Sequence, residues 1–185
     1  MKSLTGFSGA TLAWRRGGGS PPEFQLQAGD EVFATLALLE EDGGLVRVET
    51  AEGTWTLKHL GLLAPVVTLR EEGGTVNLAT FHPHAFRHGK LQFLDGAAFD
   101  WTWHHGAETG GAFLDPGGKP LVSLQAHSGR DLSTAPGLER CEVDLSPAPS
   151  AHLRQALLAA FGWYLILFDH LKEREAVAAE TALRI

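Results

Sequence analysis

The sequence predicts a mainly β protein: a closed antiparallel β-barrel of about twelve strands around one central, hydrophobic C-terminal helix. Residues before about 147 alternate apolar and polar side chains, as residues 99–104 do, which is the period of strands with one buried face. Asp-Gly and Gly-Gly pairs separate these runs at intervals of about eight to twelve residues. One uninterrupted apolar run, residues 156–168, follows the strands.

The strands occupy the chain from about residue 11 to residue 145. Turn signals such as Asp42-Gly43, Asp95-Gly96 and Gly110-Gly111 separate them. The connections are too short for the crossovers of a parallel sheet, so neighbouring strands are expected to be antiparallel. The strands are expected at about residues 11–16, 23–27, 31–39, 45–50, 53–59, 62–70, 75–81, 90–95, 98–104, 111–115, 120–127 and 138–145.

A single helix is expected over about residues 150–172, with Ser150 as N-cap and a charged, helix-competent tail over residues 173–185. The apolar run has no polar face, so protein or lipid must enclose the helix on all sides. The run spans about 20 Å of helix, whereas the hydrocarbon core of a bilayer is about 30 Å thick. Arg154 and Asp169 flank it closely. We therefore predict a buried helix and no transmembrane span.

A closed sheet can supply that enclosure. A barrel of about twelve strands is too wide for its own side chains to fill, and a helix about 10 Å across fits inside it. The whole chain, residues 1–185, is then a single domain in which inward-facing aromatic residues pack on the helix. The expected core aromatic residues are Trp55, Trp101, Trp103, Phe161, Trp163 and Phe168.

Composition restricts partners and location. The formal net charge of −7 and the isoelectric point near 5.7 argue against nucleic-acid binding, which needs a basic face. Cys141 is the only cysteine, and residues 1–16 lack the apolar core of a secretory signal peptide. A cytoplasmic location is therefore expected. The richness in Ala, Gly, Leu and His is typical of a GC-rich bacterial genome.

About twelve antiparallel strands followed by one hydrophobic C-terminal helix resemble the tubby C-terminal-like superfamily, which includes tubby domains, phospholipid scramblases and plant LURP-one-related proteins. The resemblance covers roughly residues 11–172 and rests on element order and on the stretches EVFATLALLEEDGGLVRVET, GTWTLKHLGLLAPVVTLR and GWYLILFDH. It implies a closed barrel around a central helix and a non-catalytic binding or scaffolding role, with a protein or lipid partner.

The chain departs from that superfamily in three ways. Residues 142–147 lack the alternating oxygen ligands of the scramblase calcium loop. A cluster of cysteines suited to palmitoylation is absent, and no basic motif of the tubby lipid site maps onto the chain. Lipid scrambling and phosphoinositide binding are therefore not carried over.

The closest approach to a metal-binding pattern is His82-Pro83-His84 followed by His88. Three imidazoles could bind zinc if the fold brought them together. However, Pro83 and the surrounding composition predict an exposed loop, and no carboxylate lies nearby to orient the imidazoles. Ordinary loop histidines are the simpler interpretation.

Basic residues form two weak groups that could contact an anion or a lipid headgroup if the barrel brought them together. The alternative is scattered charge that keeps the protein in solution. The candidates are Arg15, Arg16, Arg87 and Lys90.

No nucleophile elbow, P-loop or dinucleotide-binding motif occurs, so no catalytic residue and no cofactor is assigned. Cys141 falls on the apolar face of a strand and is expected to be an inert core thiol. The leading hypothesis is a non-catalytic binding domain. One alternative is a carrier of a lipid or another apolar small molecule, and another is a zinc-dependent enzyme using the three histidines. The ligand, the partner and the oligomeric state stay open.

Overall fold

The computed structural model describes residues 1–5, 7, 11–61, 65–84, 88–105, 109–128, 138–146 and 154–182. These residues form twelve strands and one helix. The elements are β1 (Leu12–Arg16), β2 (Glu23–Ala28), β3 (Glu31–Leu38), β4 (Leu45–Thr50), β5 (Gly53–Leu60), β6 (Val66–Glu71), β7 (Asn77–His84), β8 (His88–Phe93), β9 (Ala98–His105), β10 (Thr109–Leu114), β11 (Pro120–Ser128), β12 (Leu138–Leu145) and α1 (Gln155–Ala182).

The strands form one closed antiparallel barrel, which confirms the predicted fold class. Every strand pairs with the strands before and after it in the chain, and β1 pairs with β12 to close the sheet. At the closure Leu12 lies opposite Val143 and Trp14 opposite Cys141. Closure gives every strand two neighbours. The apolar side chains of all the strands can therefore point into one common interior.

Two local predictions were wrong. Residues 82–84, expected in a loop, form the end of β7. Pairing between β6 and β7 stops at Val67 and Phe81, so Pro83 has a ladder partner only on β8, where it faces Gly89. A proline is tolerated where a strand is paired on one side. Gly110, expected in the turn that precedes a strand over residues 111–115, lies inside β10.

The helix runs through the barrel. From Gln155 to Leu167 its residues are buried with one exception, the half-buried Leu157. From Lys172 to Ala182 it continues with every residue exposed, so the charged tail extends the helix as far as it is described. The predicted N-cap, Ser150, lies outside the described residues. Among the described residues no helix is both long enough and apolar enough to cross a bilayer.

Polar contacts anchor the start of α1 against the turn between β8 and β9. The Arg154 guanidinium forms an ion pair with Asp95 and lies 4.4 Å from the centre of the Phe93 ring. The Gln155 side chain donates a hydrogen bond of 2.7 Å to the carbonyl of Ser146. The hydrogen bond from Arg154 lowers the pKa of the Asp95 carboxyl. These contacts fix the end of the barrel at which the helix begins.

Aromatic packing joins the helix to the barrel wall. The Phe161 ring lies 5.9 Å from that of Phe81 and 6.2 Å from that of Phe113, centre to centre. On another side of the helix, the ring centres of Trp163 and Phe24 are 5.4 Å apart. Three of the six expected core aromatic residues are fully buried: Trp101, Phe161 and Trp163. The other three are partly buried and pack against the core: Trp55, Trp103 and Phe168. Burial also raises the pKa of the Cys141 thiol.

Candidate functional site

Chain topology sends α1 out of one end of the barrel, which we call the exit mouth. Because consecutive strands are antiparallel, all odd-numbered strands end there and all even-numbered strands begin there. The turn between β3 and β4 touches the emerging helix. At Gly43 a Cβ atom would lie 2.9 Å from Leu171 Cδ1 and 3.6 Å from Phe168 Cδ2. Glycine is therefore needed at this position for two reasons: the turn requires a φ of 72°, and α1 packs too closely to leave room for a side chain.

A cavity of about 230 Å³, which we call the mouth cavity, lies between the helix and the wall at this end. Its floor is apolar and its rim is polar. The floor is built by Val67, Phe81, Trp103, Leu165 and Phe168. The rim carries His59, His84, His88, Asp169 and Lys172. The apolar part of a ligand could pack on the floor, and its polar head could contact the ionisable side chains of the rim.

Phe168, in the floor of the cavity, contacts two of the rim residues. The His59 ring stacks on it, with ring centres 4.4 Å apart and an angle of 24° between the planes. The Lys172 ammonium lies 5.4 Å from the centre of the same ring and also pairs with Glu175 at 2.9 Å. One aromatic ring therefore positions both an imidazole and an ammonium group beside the cavity.

The environment of His59 disfavours its charged form. Burial lowers the pKa of the imidazole most, the Lys172 charge lowers it further, and the Asp42 carboxylate opposes both effects. A protonated His59 would therefore be less stable here than in the unfolded chain.

Acidification is expected to destabilise the fold through His59. Its pKa is lower in the folded state than the unfolded value of about 6.5, so its contribution to stability is complete above that pH. The contribution is lost as the pH falls through the folded-state pKa. Replacing His59 by Phe keeps a stacked ring but removes the titration. The variant should therefore lose less melting temperature than the wild type between pH 7.5 and pH 5 (roughly 1 unit above and about 1.5 units below the unfolded pKa).

His82→Phe, on the exposed outer surface of β7, is the matched control for that measurement. It shows how much of any change comes from exchanging a histidine for a phenylalanine, and how much from the surroundings of His59. If His59→Phe follows the wild-type curve, His59 does not contribute to acid sensitivity.

The exit mouth collects histidines that look dispersed in the sequence. In the described part of the chain, each histidine lies within three residues of a strand terminus at this end or on the emerging helix. These residues are His59, His82, His84, His88, His104, His105, His127 and His170. The signal that could have revealed this was their recurrence near the ends of odd strands and the start of an even strand.

The three candidate zinc ligands lie on one hairpin but do not converge. His84 lies directly opposite His88, whereas His82 lies opposite Lys90. All three side chains are exposed. Among the described residues, no group of three or more His, Cys, Asp or Glu side chains is placed to hold a metal ion.

The candidate anion ligands do not form one patch. Arg15 and Arg16 lie at the end of β1, and Lys90 lies on β8, with four strands between β1 and β8 around the barrel. Arg15 faces Arg140, which pairs with Glu142 at 2.9 Å. Arg87 lies outside the described residues.

Two further cavities are less suited to a site. One of about 370 Å³ lies beside Arg154 and Phe93 at the other end of the barrel. Its two charged lining residues, Asp95 and Arg154, pair with each other instead of facing a ligand. The other, of about 240 Å³, is a polar groove on the outer wall.

The outer groove contains a histidine, a serine and an aspartate, but not in a catalytic arrangement. Ser123 lies opposite Asp144, while His104 lies opposite Gly110 on the far side of β10. Because Gly110 faces Gln125 on β11, His104 and Ser123 are two strands and two residues apart, with roughly 12 Å between their Cα atoms, whereas a general base must lie within about 3 Å of its nucleophile. The groove therefore lacks the geometry of a Ser-His-Asp triad.

No protein-family model matches the chain, and no curated protein or solved structure matches it significantly.

Proposed function

We propose that this protein is a non-catalytic binding domain that holds a small amphiphilic molecule in the mouth cavity. The observation that carries the proposal is the combination of an apolar floor and a polar rim in one cavity. Binding sites for small molecules generally have this composition, with a few polar groups that fix the orientation of the ligand.

The size of the cavity sets the size of the ligand. An apolar cavity of about 150 Å³ accepts benzene, and sites for drug-sized ligands begin at about 300 Å³. At about 230 Å³, the mouth cavity suits a single ring or a short alkyl chain. The interior beyond it is filled by α1, since Phe161 and Trp163 are fully buried there. The carrier alternative is therefore restricted to small ligands.

The tubby-like relationship and the cytoplasmic location are part of this proposal. Twelve antiparallel strands in sequential order around a C-terminal helix are the features on which the resemblance to the tubby C-terminal-like superfamily rests. That resemblance supports a binding or scaffolding role. The lone cysteine supports a reducing compartment, and fractionation of cells that produce the protein would test the location.

Filling the cavity should abolish binding. Val67 lines the floor and is buried, so a Val67→Phe side chain would occupy the space of the ligand. We expect 1-octanol, octanoate or octylamine to change the fluorescence of Trp103, which lies in the cavity wall. Val67→Phe should weaken binding by about tenfold or more, equivalent to about 1.4 kcal/mol.

Val76→Phe is the matched control, because Val76 is 57 % exposed at the other end of the barrel. It should bind as the wild type does, and melting curves should show that both variants are folded. Leu165→Phe fills the same cavity from the helix side and repeats the test if Val67→Phe unfolds. Absence of binding by all three probes, or full binding by both filled variants, would refute the proposal.

A further inference from the structure

The β7–β8 hairpin presents two imidazoles side by side. His84 and His88 are the residues directly opposite each other in the register of this antiparallel pair. Opposite residues point to the same face of a sheet, with Cβ atoms about 4.5–5.5 Å apart. Both side chains are exposed, and both line the mouth cavity. The register thus places the two rings beside each other at the end of the hairpin.

We propose that His84 and His88 form a two-imidazole site for a late first-row divalent transition metal ion, such as Zn²⁺, Ni²⁺ or Cu²⁺. Imidazole nitrogen is a preferred ligand of these ions, and each nitrogen lies about 2.0–2.1 Å from a bound zinc ion. The spacing of a directly opposed pair lets both rings lean toward one ion. Water supplies the remaining ligands, since the described residues offer no third side chain.

The neighbours of the pair confine the ion to this row. On its other side His88 faces the neutral Thr102. In the next pair on the same face, two rows further from the mouth, His82 faces Lys90, whose ammonium group repels a cation and offers no ligand. His82 and His84 therefore share strand, face and exposure, and differ in what lies opposite them.

That difference makes His82 a matched control. A protein with several histidines binds metal ions weakly at each single imidazole. The variant His82→Ala measures how much metal binding changes when one such imidazole is lost. His84→Ala and His88→Ala each remove one histidine as well. If a pair binds the ion, however, either change leaves a single ligand and removes the tight site.

The experiment is a calorimetric titration of the full chain with ZnCl₂ and, separately, NiCl₂ at pH 7.5. The wild type and His82→Ala should show one site of equal affinity per chain. His84→Ala and His88→Ala should each weaken that site by about tenfold or more. The double variant His84→Ala/His88→Ala should bind no more weakly than either single variant, because one change already breaks the pair.

All three histidines are exposed, so the variants should melt as the wild type does, and melting curves check this. Equal weakening in His82→Ala and His84→Ala would overturn the proposal, because it would indicate independent imidazoles. Unchanged affinity in both His84→Ala and His88→Ala would overturn it too. Binding of the alkyl probes plays no part in either outcome, so the metal site and the proposed function fail or stand separately.

Discussion

Replacing Phe161 by Ala is expected to lower the free energy of unfolding by about 3–5 kcal/mol, which is the usual loss for a buried aromatic residue. Phe161 is fully buried on α1, where its ring packs against those of Phe81, Phe113 and Tyr164. Since a closed barrel cannot collapse easily around a missing ring, a cavity should remain. For a chain of this size, that loss corresponds to a fall of roughly 6–20 °C in melting temperature.

Val177→Ala is the matched control, because Val177 lies on the same helix but is 63 % exposed beyond the exit mouth. Its melting temperature should change by no more than about 2 °C, as expected of surface substitutions. Phe161→Leu keeps much of the side chain and should fall between Phe161→Ala and the wild type, which preserves the test if the alanine variant does not fold. Similar melting temperatures for Phe161→Ala and Val177→Ala would contradict a helix that fills the barrel.

Most of the fold could be predicted because alternation and burial are local signals. In β12, Cys141 and Val143 are buried between polar neighbours, as the period of two indicates. The apolar run on α1 could be assigned to a protein interior because residues 154 and 169, which flank it, carry charge. Closure by β1 and β12 then follows from the number of strands and from the helix that they must enclose.

The candidate site could not be predicted because it depends on which strand ends meet. His59, His84 and Lys172 come from β5, β7 and α1, and only the closed topology brings them to one cavity. The sequence pattern of one strand reports which face is inward, but not how far the neighbouring strand extends. That is why residues 82–84 read as a loop. Their extended conformation depends on pairing with β8, which no local pattern reveals.

The sequence alone does not distinguish a glycine in a turn from a glycine inside a strand. Gly43 and Gly96 occupy turns with φ values of 72° and 89°, as expected for Asp-Gly pairs. Gly111 has a different role inside β10, because the Trp101 ring occupies the space that its side chain would take. On the helix, Gly162 lies against the same ring. A glycine in a strand can thus mark a close approach of a large side chain instead of a turn.

Replacing Gly111 by Ala is therefore expected to destabilise the protein by about 1–3 kcal/mol, the usual range for overpacking. A Cβ atom there would lie 2.2 Å from Trp101 Cζ2 and 2.8 Å from the carbonyl oxygen of Thr102. The Trp101 ring cannot easily move away, since the ring centre of Phe113 lies 4.8 Å from its own. Thermal unfolding should show a fall of roughly 2–12 °C in melting temperature.

Gly18→Ala is the control, because beyond its chain neighbours no residue has an atom within 4 Å of the position that its Cβ would take. Its melting temperature should stay within about 2 °C of the wild type. A double-mutant cycle then tests the cause. Trp101→Phe shortens the ring that the new methyl group would meet, so Gly111→Ala should cost less in that background than in the wild type. Equal costs in the two backgrounds would mean that Trp101 is not what excludes a side chain from Gly111.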